Sequence, residues 1–313
     1  MSDEPTIVGL GEILWDLLPT SRQLGGAPAN FAYCSHLLGN RALIASRIGD
    51  DELGRELRQT LADRALSQQY LQTDSIQPTG TVHVQLNNEG QPKFEITQPV
   101  AWDFLEFTEH WKALARSADA VCFGSLAQRS QISRETIMQF LDSTRPGALR
   151  VFDVNLRQSF YSAEIIESSL QRANVIKLNH LELPALADIL HLDSSDPVFF
   201  CRKVLERFQM RLVCITRGAD GSLLLSTNDA QDHPGFRVKV KDTVGAGDAF
   251  TAGLVHELLR DGSLSAMNDT ANRMGAWVAS QVGAMPAVPR AGLRSALAEL
   301  ASDLPIANHD QNS

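Results

Sequence analysis

The sequence predicts an α/β protein, with a mostly parallel central sheet covered by helices on both faces. Two observations predict it. From Ala120 onward, short apolar runs of strand length alternate with helical stretches, the βαβα pattern of a parallel sheet. Polar segments at 153–157, 179–182, 216–221 and 242–248 each follow a predicted strand, where ligands sit in such sheets. An early hairpin breaks the alternation, so it predicts a small β element projecting from the α/β body.

Thr6–Leu10 is a short apolar run closed by glycine and reads as a buried first strand. Ala27–Leu38 reads as a helix, with Pro28 in its first turn and Gly39 past its end. Leu43–Ile48 is a strand, and Leu53–Arg64 carries leucines at helical spacing. Thr79–Leu86 and Lys93–Thr97 alternate on either side of Asn87-Asn88-Glu89-Gly90, a hairpin signature. Ala120–Phe123, Arg150–Asp153, Val175–Leu178 and Leu212–Thr216 are buried strands, separated by helices such as Arg134–Ser143 and Val198–Phe208. Phe236–Val240 alternates and reads as a further strand, leading to a helix over Ala249–Leu259. The tail Ala307–Ser313 is polar and expected to fray.

Composition narrows the function. A net charge of −9 argues against nucleic acid as a partner, but backbone dipoles can still hold anions. The four cysteines show no CxxC spacing, which fits reduced thiols and a cytoplasmic protein. No run of 18 apolar residues suggests a membrane span.

Five segments carry candidate chemistry. In Asp242-Thr243-Val244-Gly245-Ala246-Gly247-Asp248-Ala249-Phe250, the turn can expose backbone N–H groups of Gly245, Ala246 and Gly247 to an anion. Asp248 can then take a proton from a hydroxyl; a plain glycine turn with a capping aspartate is the bland alternative. Gly25-Gly26-Ala27-Pro28-Ala29-Asn30 can let a ligand approach a helix start, with Asn30 able to bond sugar hydroxyls, or simply make a tight turn with close helix packing. In Asp153-Val154-Asn155-Leu156-Arg157, three polar groups at alternating positions can point into one crevice, Arg157 gripping a phosphate or sugar oxygen, or form a surface salt-bridge cluster. Asn179 and Glu182 can hold water ligands of Mg2+ or form a capping box. Thr216, Gly218 and Gly221 can border nucleotide phosphates, or simply turn a hairpin. No Walker pattern GxxxxGK[ST] is present.

The set resembles the ribokinase-like (PfkB) carbohydrate kinases, from about Ile7 to Pro289. GGAPAN at 25–30 and DTVGAGDAF at 242–250 match the family's two signatures, and Asn179–Glu182 its NxxE motif. Gly11-Glu12 with Asp16, Ala101-Trp102-Asp103, and Phe123–Ala127 with Arg129 look like the fructokinase branch. Asp153–Arg157 does too, although Val154 and Phe160-Tyr161 stand where that branch often has proline and Leu-Trp.

The resemblance implies a three-layer fold with a small β-sheet lid from about 13–24 and 79–100, within one kinase domain over 1–306. It implies Asp16, Gly26, Asn30 and Arg157 around the sugar, Asp248 as base and Gly245–Gly247 as anion hole. ATP would lie near Thr216, Gly218, Gly221 and Asn272, with Mg2+ positioned by Asn179 and Glu182 through water. K+ would bind near Asp242, Val244 and the Val278–Ala284 loop. The expected reaction is transfer of the γ-phosphoryl group of ATP to a free sugar, D-fructose first, with 2-keto-3-deoxygluconate, ribose or a nucleoside as rival acceptors. A non-catalytic sugar- or nucleotide-binding regulator is the rival of another class. An exposed lid edge would invite a homodimer.

Overall fold

Buried apolar side chains alternate between the two faces of one sheet, and that alternation organises the molecule. The computed structural model describes residues 4–86, 92–288 and 292–300. The turn Asn87–Gly90 and the polar tail lie outside the described residues.

The N-terminal part contains β1 (Thr6–Leu10), β2 (Leu14–Leu17), β3 (Arg22–Gly25), α1 (Ala27–Leu37), β4 (Arg41–Gly49), α2 (Glu52–Asp63), β5 (Leu71–Asp74), β6 (Gly80–Leu86) and β7 (Pro92–Ile96). Next come α3 (Glu109–Ser117), β8 (Ala120–Phe123), α4 (Gln131–Asp142), β9 (Leu149–Asp153), α5 (Ala163–Arg172), β10 (Val175–Asn179), α6 (Leu183–Leu190), α7 (Pro197–Phe208) and β11 (Leu212–Thr216). The chain continues through β12 (Ser222–Leu225), β13 (Ala230–His233), α8 (Ala246–Leu258), α9 (Leu264–Ala279) and α10 (Leu293–Glu299).

Among the described residues the main sheet has nine strands, in the order β13-β12-β11-β10-β9-β8-β1-β4-β5. Pairing is parallel except at β11–β12 and β12–β13. Val8, Leu10, Phe123, Phe152, Ile176 and Ile215 face one way and pack with α3 to α7. Ile7, Ile44, Cys122, Val151, Val175 and Cys214 face the other way and pack with α1, α2, α8, α9 and α10. Each fully buried side chain of this size contributes about 1.5–3 kcal/mol, so both helical layers are held by the same strands. The expected three-layer α/β architecture is therefore present. All four cysteines are buried and free, and no helix among the described residues is long and apolar enough to cross a membrane.

A separate four-stranded sheet, β3-β2-β6-β7, forms from the segments expected for the small β element. Trp15 anchors it by burying its ring and donating its Nε1–H to Leu53 O on α2 at 3.0 Å. The segments around residues 101–103 and 129 tie in its other end. Arg129 donates Nε and Nη2 to the two Asp103 carboxylate oxygens, each at 2.8 Å, and lies 4.0 Å from the centre of the Trp102 ring. The same guanidinium donates to Thr97 O at the foot of β7, at 2.7 Å.

One sequence expectation fails. Phe236–Val240 forms no strand. The sheet ends instead with β13, after which Pro234 has no N–H to continue a ladder. Phe236 alone stays buried, against Arg273 and His233, while Val240 is 56% exposed. The alternation was real, but no neighbouring strand is there to pair with it.

Candidate active site

The carboxyl ends of β1, β9, β10 and β11 open on the same side of the parallel sheet, and the turn into α8 comes to meet them. Gly245 is the N-cap of α8 at φ +80°. A Cβ there would lie 2.5 Å from Ala284 Cβ, so glycine is required on conformational and steric grounds. Asp242 holds the entry to the turn. Its Oδ1 accepts from Val244 N at 3.0 Å, and its Oδ2 accepts from Gly283 N at 3.1 Å. The Ala246 N–H closes the turn onto Thr243 O at 3.2 Å. The first-turn N–H groups of Gly247 and Asp248 have no intrahelical acceptor, as helix geometry requires. Of the expected Gly245–Gly247 donors, the Ala246 N–H is thus engaged within the turn.

Asp248 is half-buried one turn into this helix. Asn30 Nδ2, from the first turn of α1, donates to its Oδ2 at 2.8 Å, which fixes the carboxylate and leaves Oδ1 outside that contact. Burial, and then the Asp153 charge, push the Asp248 carboxyl up to about 6; Lys177, the Asn30 bond and Arg157 oppose that rise. Asn30 Oδ1 is buried with no partner, an acceptor suited to a sugar hydroxyl. Gly26, the N-cap of α1, accepts the Asn30 N–H at 2.9 Å. Its backbone lies against the Glu12 carbonyl.

Glu12 and Asp16 add two more carboxylates. Glu12 is 1% exposed and pushed by burial up to about 7, with Asp248 reinforcing the rise and the Ala27 N–H and Arg157 opposing it. Asp16 is raised to about 6 by burial, against the pull of Arg157. Arg157 is exposed, donates to Leu156 O at 3.3 Å and exerts its charge on Glu12, Asp16 and Asp248 alike. The structure therefore brings Asp16, Gly26, Asn30, Arg157 and Asp248 near one another.

It does not bring Asp153 there. The alternation from Asp153 to Arg157 was expected to aim three groups into a single crevice. Asp153 instead points under the α8 turn, because Lys177 claims both its oxygens. Asn155 takes φ +41° and redirects the chain before Arg157.

On the other side of the turn, Asn179 and Glu182 form the capping-box arrangement. Asn179 Oδ1 accepts from Leu181 N and Glu182 N, at 2.9 and 3.0 Å. Glu182 Oε2 accepts from Asn179 N at 2.8 Å, and its Oε1 from Leu156 N at 2.9 Å. Burial raises the Glu182 carboxyl while Lys177 opposes the rise. Thr216 ends β11, half-buried. A Cβ on Gly218 would meet nothing within 4 Å, so a ligand can approach its backbone, whereas Gly221 is packed against His233 O. Asn272 lies on α9 as expected, but its amide faces inward, donating to Ser222 Oγ at 2.8 Å and to Asn268 O at 2.7 Å. It ties α9 to β12.

Sequence reasoning missed Lys177 and Thr251. Lys177 is the one charged side chain in the run Val175-Ile176-Lys177-Leu178, and it is 6% exposed. A lysine inside a buried strand was the available signal. Its Nζ lies 3.0 and 3.1 Å from the Asp153 oxygens. Burial alone would lower its proton affinity, but Asp153, Glu182 and Asp248 more than reverse that and keep it charged.

A helix-terminus anion site beside a carboxylate is suited to moving a phosphoryl group onto a hydroxyl. Comparison with known proteins agrees. Residues 19–291 match the model of the pfkB family carbohydrate kinases. The fructokinase of Salmonella typhimurium is 33% identical over 298 residues, 90% of this chain and 95% of that protein. The structure of fructokinase from Vibrio cholerae O395 with fructose, ADP and calcium ion superposes with a TM-score of 0.78 at 29% identity, covering 96% of this chain and 99% of that one. Aminoimidazole riboside kinase from Salmonella enterica superposes at 0.77 with 26% identity, covering 94% and 99%. The chain belongs to the pfkB family of carbohydrate kinases and is an ATP-dependent sugar kinase.

Proposed function

We propose that this kinase phosphorylates a primary hydroxyl of a free sugar, converting D-fructose to fructose 6-phosphate, with Asp248 as general base. The observation that carries the reading is the Asp248 carboxylate itself. Asn30 fixes one of its oxygens, the other is left for a hydroxyl, and the first-turn N–H groups of the same helix lie beside it. The sugar oxygen attacks the γ-phosphorus as its proton passes to Asp248. The bond from phosphorus to the ADP oxygen breaks, and ADP carries away that electron pair. The N–H groups at Gly247 and Asp248 stabilise charge on the transferring group. Arg157 and Asp16 orient the sugar, and the unpartnered Asn30 Oδ1 accepts one of its hydroxyls.

Thr216 and the open backbone at Gly218 would border the nucleotide phosphates. Asn179 and Glu182 would hold Mg2+ through water; their own bonds to backbone N–H groups leave the carboxylate charge in place while fixing its position. Mg2+, when bound, would neutralise charge on the phosphates. Asp242, Val244 and the loop carrying Gly283 would hold K+ largely through backbone oxygens.

The fructokinase relatives support fructose as acceptor. A nucleoside is the second reading, supported by the riboside kinase likeness. We further infer one kinase domain over residues 1–306 in a cytoplasmic protein, with the four-stranded sheet acting as a lid. β3 and β7 are the edges of that sheet, and edge strands invite pairing with a second copy.

The test is an acceptor panel with purified protein, ATP and Mg2+, with and without K+. Fructose, ribose, 2-keto-3-deoxygluconate and nucleosides are compared by kcat/KM, and the product is located by NMR. Fructose is expected to rank first, phosphorylated at its 6-hydroxyl. Any other acceptor ranking first overturns the fructose assignment.

A further inference from the structure

We propose that Lys177 is a positioning residue for phosphoryl transfer: its buried ammonium, packed between the Asp153 carboxylate and the bare Gly247 backbone, holds the first turn of α8. This rests on the reading of that turn as the anion hole and of Asp248 as the base.

Three contacts carry it. Lys177 Nζ sits 3.0 and 3.1 Å from Asp153 Oδ1 and Oδ2, with both side chains almost fully buried. Thr251 Oγ1 lies 3.0 Å from Asp153 Oδ2 and also 3.0 Å from Gly247 O. This links the ion pair through one hydroxyl to the peptide of the anion hole. The third contact closes the ring. A Cβ built on Gly247 would lie 3.0 Å from Lys177 Nζ, so the ammonium rests against the bare backbone of the turn. A side chain at 247 would therefore crowd the ammonium, which would have to give way by a few tenths of an ångström.

A buried ammonium is strongly disfavoured unless it is paired, and a single carboxylate would satisfy it. Here one cation serves three, because Asp153, Glu182 and Asp248 all act on Lys177. The groups facing Asp248 come from every surrounding element. Asn30 and Cys34 stand on α1, Glu12 beyond β1, Cys122 on β8, Asp153 on β9, Lys177 on β10 and Arg157 in the loop after β9. Lys177 favours the ionised Asp248, and Asp153 opposes it.

A purely structural role, in which Lys177 only neutralises Asp153, makes different predictions. The experiment compares Lys177→Met, Asp153→Asn, the double variant and Asp248→Asn. The readouts are kcat, sugar KM, the pH profile of kcat/KM and thermal melting. Lys177→Met should lower kcat roughly 10–100-fold with sugar KM little changed, as expected when a catalytic turn is misplaced. Its acid limb should move to higher pH, and that of Asp153→Asn to lower pH. The double variant, which removes both members of the Asp153–Lys177 pair, should melt closer to the parent than either single variant yet stay slow. Recovery of full turnover in the double variant, or acid limbs that do not move in opposite directions, overturns the proposal. Asp248→Asn separates the two readings. If that variant keeps normal turnover, the base assignment fails whatever Lys177 does; if it is inactive while Lys177→Met is normal, only the present proposal fails.

Discussion

The turn proposed to hold the transferring phosphoryl group and the residues proposed to hold the sugar, here called the phosphoryl side and the sugar side, are built in opposite ways. The turn into α8 is tied from several directions: Asp242 binds it to the Gly283 loop, Ala284 packs on Gly245, and Thr251 bonds Gly247 O and also Asp153, which pairs with Lys177. The sugar side is looser. Arg157 is exposed, its side chain bonding only the adjacent Leu156 carbonyl among the described residues, and Asp16 stands on a sheet separate from the main one. A transition state is stabilised best by groups that need not reorganise, whereas a substrate must enter and leave. The comparison therefore assigns reaction chemistry to the fixed side and acceptor choice to the side that can change without disturbing the core.

Substitutions can break that division. The largest effect is expected from Asp248→Asn, which keeps the Asn30 contact in shape but removes the base. Turnover should fall roughly 10²–10⁴-fold, with sugar affinity by calorimetry largely kept. Gly245→Ala comes next. Its Cβ would collide with Ala284, and its φ of +80° is unfavourable for alanine, costing about 1–2 kcal/mol. Turnover should drop on the order of tenfold or more through displacement of the turn, and Ala284→Gly in the same chain should restore little of it, because the backbone Cα at 284 would still lie 2.7 Å from the new Cβ. Full recovery in that double variant would show that the Ala284 methyl, rather than the backbone at 284 and the φ of 245, sets the turn. Arg157→Ala tests the other side. Losing a charge-assisted bond of about 1.5–3 kcal/mol should raise sugar KM roughly 10–100-fold while kcat moves far less. An equal fall in kcat would place Arg157 with the transfer machinery instead.

The same asymmetry explains how much the sequence disclosed. The fixed side was legible because its chemistry is contiguous: a glycine turn and an aspartate at a helix start, all within Asp242–Phe250, point to a helix-terminus anion site. The alternating β and α segments likewise announced the parallel sheet, since burial on both faces makes strands uniformly apolar. What failed was longer in range. The alternation at Phe236–Val240 satisfies a strand locally, and only the missing neighbour denies it one. Asp153 looked like part of a crevice until Lys177, 24 residues on, claimed it. Asn272, expected near the nucleotide, gives its amide to Ser222 and Asn268. Each of these partners is one that local sequence cannot name.

The smallest predicted effect concerns pH, and it sets activity against stability. Burial raises Asp16 and Asp248 to about 6 and Glu12 to about 7, against about 3.9 and 4.3 for free Asp and Glu. The base must be ionised, so kcat/KM should fall as pH drops through about 6. Stability runs the other way. Between the unfolded and folded values the native state binds more protons than the unfolded one, so unfolding free energy decreases as pH rises through that window. The contribution of these carboxyls is fully present below about pH 4 and lost by about pH 7. Asp16→Asn removes one such group. The variant should be more stable than the parent at pH 7.5, by on the order of 1–2 kcal/mol after screening, and the gap should close as pH falls toward 4. Denaturant melts at several pH values measure it directly. A gap that stays constant with pH would mean that Asp16 is solvated when no sugar is bound, and that the cleft becomes dry only when the small sheet covers a substrate.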